Sequence, residues 1–175
     1  MCQNTKPRIV RDGFTMIELM VVVAIIAIAA AIVVPMASSA GVMQLRAAVN
    51  MVAADLEYAK SMSISRGQRH AVVFNSSTES YQIIDENGAT IGHPVKKGSP
   101  YAVTFSSDSR LGNVEIVSAN FDGVSTVGFD YLGIPYSITG TPAALLNAGV
   151  ITLRAGGVTR TVSVEPVTGY ITVSN

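Results

Sequence analysis

The pattern of apolar and polar positions changes twice along the chain. From Phe14 to Val34, 21 residues in a row carry one charge, Glu18, and one hydroxyl, Thr15. At 1.5 Å per residue this run makes a helix of about 32 Å, enough for the roughly 30 Å of hydrocarbon in a bilayer. Past Pro35 the residues Val42, Leu45, Val49, Val52, Leu56 and Ala59 recur in steps of three and four, with Gln44, Arg46, Asn50, Asp55, Glu57 and Lys60 between them. That spacing predicts a continuing helix with one packed face and one face in water. Arg66-Gly67 has the chemistry of a helix end. Pro35 predicts a kink, because proline lacks a donor and clashes with the preceding turn.

After Gly67 the period falls to two. Strands are predicted at Val72–Phe74, Tyr81–Ile84, Tyr101–Phe105, Val114–Val117 and Val127–Tyr131, with an Asn-Gly turn signal in Asp85-Glu86-Asn87-Gly88. A three-stranded meander closes the chain: Val150–Arg154, a turn at Ala155-Gly156-Gly157, Val158–Val164, a turn at Thr168-Gly169, and Tyr170–Val173. The expectation is an α+β fold, one long helix on a mostly antiparallel sheet. The turn-rich stretch Leu132–Ala148 reads equally as a partner surface or as a loop covering the core.

Composition narrows the function. Of 175 residues 49% are hydrophobic and 14% charged, and 12 Lys+Arg balance 12 Asp+Glu. Zero net charge argues against a dedicated nucleic-acid binder. Cys2, His70 and His93 are too few and too scattered for a zinc cluster, so no metal is expected. The 15 glycines show neither Rossmann nor Walker spacing, so no cofactor is expected. No Gly-x-Ser-x-Gly elbow is present, and His70, at a strand start, is expected to be a partly exposed structural histidine; catalysis is not expected. Lys6, Arg8 and Arg11 precede the apolar run, which places the N-terminus in the cytoplasm by the positive-inside rule. A cleaved secretory signal is the rival reading, disfavoured because the run exceeds the usual 7 to 15 residues and leads into more helix.

Glu18 is costly in an apolar segment, about 2.5 to 3.5 kcal/mol at a helix centre, unless it snorkels to the headgroups or finds a partner. Its context, Gly13-Phe14-Thr15-Met16-Ile17-Glu18-Leu19, resembles the processing motif of type IV pilins and type II secretion pseudopilins. The resemblance implies that a prepilin peptidase cuts after Gly13, that the new N-terminus at Phe14 is methylated, and that Glu18 assists assembly. The amine created at Phe14, of the same or a neighbouring subunit, would be its partner. Pro35 resembles the proline at which pilin helices bend. Cleavage would remove three basic residues and one acid, leaving nine Lys+Arg against eleven Asp+Glu and no cysteine.

Further motifs, Leu56-Glu57-Tyr58-Ala59-Lys60-Ser61 with Arg66-Gly67-Gln68, then Phe129-Asp130-Tyr131-Leu132-Gly133, Val150-Ile151-Thr152-Leu153 and Pro166-Val167-Thr168-Gly169, resemble the minor pseudopilin H group, the GspH/FimT family. This implies a pilin-like fold with a cleaved leader (1–13), a transmembrane and assembly helix (14–34), its amphipathic continuation (35–67) and a β-rich domain (68–175). The implied function is a minor pseudopilin of a type II secretion pseudopilus. The alternative is a FimT-like minor pilin acting in pilus assembly or DNA uptake. Its implied partners are the prepilin peptidase, other pseudopilins and the assembly platform of the bacterial inner membrane, with the C-terminal domain in the periplasm. Arg154 and Arg160 are the candidate DNA contacts. Nucleic acid is not expected, since even with Lys96, Lys97 and Arg110 only five cations are at hand, and Val158-Thr159-Arg160-Thr161 stands where an arginine-rich stretch would be needed.

Overall fold

The computed structural model describes residues 14–138 and 144–174, apart from the side chains of 32–39. Two compact units divide the chain, Met1–Ala37 and Ser38–Asn175. Helix α1 covers Met16–Arg66. It ends as its sequence predicts: Gly67 takes φ +63°, and the Gln68 amide donates to Ser63 O at 3.2 Å, the six-to-one bond of a Schellman cap. The backbone is helical through Pro35, and the bend expected there falls in the 32–39 segment, outside the described residues.

Ten strands follow: β1 His70–Asn75, β2 Ser80–Asp85, β3 Ala102–Thr104, β4 Glu115–Phe121, β5 Thr126–Phe129, β6 Pro135–Ser137, β7 Ala144–Leu145, β8 Gly149–Ala155, β9 Val158–Val164 and β10 Ile171–Val173. They form two antiparallel sheets, ordered β3-β2-β1-β5-β6-β7 and β10-β9-β8-β4. The predicted meander is the β8-β9-β10 edge of the second sheet, and its first turn is Gly156-Gly157 with φ +59° and +79°, the two positive values that a tight hairpin joining right-twisted strands requires.

One hydrophobic core joins α1 to both sheets. The helix contributes Leu45, Ala48, Val49, Val52, Leu56 and Ala59, so the apolar seam read from the sequence is the packed face, with Val42 half-buried at its start. Gly41 lets the helix meet the β8–β9 turn, where a Cβ would lie 3.1 Å from the Gly156 backbone. On the first sheet Gly128 pairs with Tyr136, and the ring lies across the glycine, occupying the place where a Cβ would stand 2.2 Å from it.

The structure corrects the sequence reading in four places. The stretch 132–148 is not one loop: β6 and β7 extend the first sheet, and 139–143 lie outside the described residues. Phe105 does not end a strand but opens a 3-10 turn, Phe105–Ser107, in which the Phe105 ring alone is buried in the core. His70 is 1% exposed, not partly exposed, because it shares with Val72 and Phe74 the face of β1 that meets the core. Asp55 leaves the face assigned to water and is held by the hydroxyls of Tyr81, on β2, and Tyr101, just ahead of β3.

Candidate functional site

The N-terminal segment is built for contact with something other than its own chain. Every described side chain from Phe14 to Ala31 is exposed, with Phe14 at 82% and Ile17 at 73%, and apolar groups face all sides of the helix. A helix apolar all round is stable only when buried in lipid or among other helices. Thr15 caps it: its Oγ1 accepts the Glu18 amide at 3.2 Å, and Thr15 O accepts Leu19 N–H at 3.1 Å. Thr15-x-x-Glu18 is the capping-box spacing, a helix-start signal carried by the sequence itself. The cap places the Glu18 carboxylate in the first turn, where the helix dipole favours an anion. Gly13 and the rest of 1–13 lie outside the described residues. Among the described residues no helix is long and apolar enough to cross a membrane. The predicted span 14–34 falls on α1 backbone that is helical from Met16, and its last side chains, 32–34, lie outside the described residues.

In the β-rich unit Arg154, Arg160 and the pair Lys96 and Arg110 do not form one basic patch. Arg154 pairs across the strands with Thr159 and Leu153 with Arg160, so the two arginines occupy opposite faces of the second sheet. Arg154 meets Glu115 at 2.6 Å. Arg160 donates to Ser174 O at 3.3 Å and lines a pocket of about 280 Å3 with Arg46 and Asn50. Lys96 and Arg110 line a different cleft, about 430 Å3, beside β3. There Arg110 sits 2.6 Å from Asp108 and, by hydrogen bonding, holds that carboxyl down at about 2.

The floor of that cleft is the most organised polar cluster of the unit. Asp55 accepts the Tyr81 hydroxyl at 2.5 Å and the Tyr101 hydroxyl at 2.8 Å. Burial raises the Asp55 carboxyl above its ordinary value, against the opposite pull of the two hydroxyls. Burial, and then Asp55 itself, push both tyrosines well up, so they remain donors. Tyr58, Tyr101 and His93 stack with centroids 5.4 and 4.7 Å apart. Among the described residues no group of His, Cys, Asp or Glu side chains could hold a metal ion. His70 Nδ1 faces Ser63 Oγ at 3.4 Å, but Ser63 donates to Ala59 O, which makes the pair a helix-end brace and not a nucleophile with its base.

Comparison with known proteins decides between these features. The type II transport protein GspH profile matches residues 48–168, and the prokaryotic N-terminal methylation motif matches residues 10–34. The chain belongs to the GspH family. GspH-family chains are structural, pilin-like subunits, and this one is a minor pseudopilin or pilin subunit with the methylation motif at its head. The minor pseudopilin EpsH from the type II secretion system of Vibrio cholerae shares its fold, with a TM-score of 0.52 and 10% identity over 75% of this chain and 96% of that one. The Pseudomonas aeruginosa type IV minor pilin FimU gives a TM-score of 0.48 and 17% identity over 75% of this chain and 88% of that one. No curated protein matches the chain. The motif match and the exposed apolar helix together suggest membrane anchoring, processing and assembly with other pilins.

Proposed function

We propose that this GspH-family subunit is cut after Gly13 by a prepilin peptidase, methylated at Phe14, and assembled into a type II secretion pseudopilus through its N-terminal helix. Before assembly it is anchored in the bacterial inner membrane by the 14–34 segment, N-terminus in the cytoplasm and β-rich domain in the periplasm. It acts by packing, with the inner-membrane platform and sibling pseudopilins as partners, and not by catalysis. The observation that carries the reading is the segment from Phe14 to Ala31, helical from Met16, exposed and apolar on every side with one acid, Glu18, in the first turn. Buried among other helices, that carboxylate needs a cation, and the amine that cleavage creates at Phe14 supplies one when neighbouring helices share an axial register. Pro35 would provide the bend that such packing uses.

DNA capture is the weaker reading. Arg154 and Arg160 face opposite sides of the sheet, and Arg154 is matched by Glu115, so neither phosphate tracking nor a steep salt dependence is expected. Gly13→Glu is expected to block processing, leaving a precursor on immunoblots. Glu18→Ala and Glu18→Val are expected to be cut normally yet to fall at least about tenfold in sheared-filament fractions, the loss of one buried ion pair. Full incorporation of both Glu18 variants would overturn the assembly role.

A further inference from the structure

The loop between β2 and β3 contains the second histidine, His93. A Gly92–Pro100 bridge and a 2.9 Å bond from His93 N–H to Ser99 O close its neck. The His93 ring turns back into the loop, where Nδ1 accepts the amides of Val95 and Lys96, both at 3.1 Å. A ring nitrogen that accepts two N–H groups carries no proton, so the closed loop requires the neutral imidazole with its hydrogen on Nε2. The ring also stacks on Tyr101, whose hydroxyl is bonded to Asp55 of α1.

We propose that the 93–99 loop is a proton-operated latch on the flank of α1, closed by neutral His93 and released when Nδ1 takes a proton. The added hydrogen would point at two amide hydrogens, so both contacts fail together and the ring must turn away. The groups around it set the direction. Asp55 faces it from α1, Lys96 repels it from its own loop, and across the cleft Asp108 and Arg110 neutralise each other. The imidazolium is drawn toward Asp55 over the Tyr101 face, and the loop tip, with Val95 83% exposed and Lys96-Lys97 beside it, is set free. The other histidine lacks this geometry: His70 Nδ1 lies 3.2 Å from Gln68 O, an acceptor, so a further proton at its Nε2 leaves that contact intact. The latch is independent of the filament reading.

Amide exchange of the full-length protein in detergent micelles, corrected for the intrinsic effect of pH, tests it between about pH 7.5 and 5, the interval where histidines change charge. Protection of the Val95 and Lys96 amides is expected to fall about tenfold, the loss of two modest hydrogen bonds, with a midpoint matching the titration of the His93 ring. His93→Asn offers a side-chain oxygen that accepts the same amides without titrating and is expected to stay protected at both ends. His93→Phe keeps the stack without an acceptor and is expected to be unprotected at both. Constant protection in the wild type across the His93 titration would overturn the latch. So would an acid-induced loss that persists in His93→Asn, which would trace the effect to Asp55 or His70.

Discussion

Asp55 ties α1 to the first sheet through hydroxyls 26 and 46 residues away in sequence, which is why the periodicity of the helix placed it in water. Its raised carboxyl value has a consequence for pH. The folded chain holds the Asp55 proton more tightly than the unfolded chain, whose value stays near 3.8. Stability from this group is therefore complete below the unfolded value and is lost as pH rises through the raised folded one. Asp55→Asn keeps an acceptor without the charge and is expected to flatten this decline in thermal melts between about pH 3 and 7. Asp55→Ala leaves two tyrosine hydroxyls without their acceptor and is expected to cost about 1–3 kcal/mol at neutral pH, read as a lower denaturant midpoint. Glu18, by contrast, stands out in a single window of sequence, as the one charge within an apolar run.

At the scale of elements, two glycines set how closely strands and helix approach. The Cβ of Gly41→Val would meet the backbone of Gly156 at 3.1 Å, and backbone cannot swing aside as a side chain can. The helix must then lift from the β8–β9 turn, at an expected cost of about 1–3 kcal/mol in urea unfolding. Gly128→Val collides with the Tyr136 ring, which must leave the sheet face and its contact with the Arg69 guanidinium, 5.5 Å from the ring centre. A similar loss of about 1–3 kcal/mol is expected, with a change in the tyrosine near-ultraviolet signal. The seam of α1 and the β8–β9–β10 meander were readable because their periods and turn residues agree locally. The strands β6 and β7 were not, since Pro135, Gly140 and Pro142 mark turns and each strand is only two or three residues long. Partners across the sheet, not local preference, make them strands.

For the β-rich unit as a whole, a single core binds α1 to both sheets, so the sheets are expected to melt together. Leu56, fully buried, lies in that core, and Leu56→Ala is expected to cost about 2–5 kcal/mol while leaving one transition. Exchange protection in β1 and β8 should fall in parallel, whereas loss in one sheet alone would show two separable cores. The same scale explains the arginines. Arg154 and Arg160 look like neighbours at a hairpin tip, but alternation of side chains along β9 sends them to opposite faces.

The sequence by itself determined the elements whose signals are local: the apolar head with its acid, the helix seam and its glycine stop, the closing meander, and the family motif. Tertiary structure alone decided that Asp55 is held by two tyrosines, that His70 is buried, which strands extend the first sheet, and that Arg154 and Arg160 stand apart. The physical reason is reach. Periodicity and turn chemistry act over a few residues, whereas burial and the pairing of charges and hydroxyls depend on which distant segments meet.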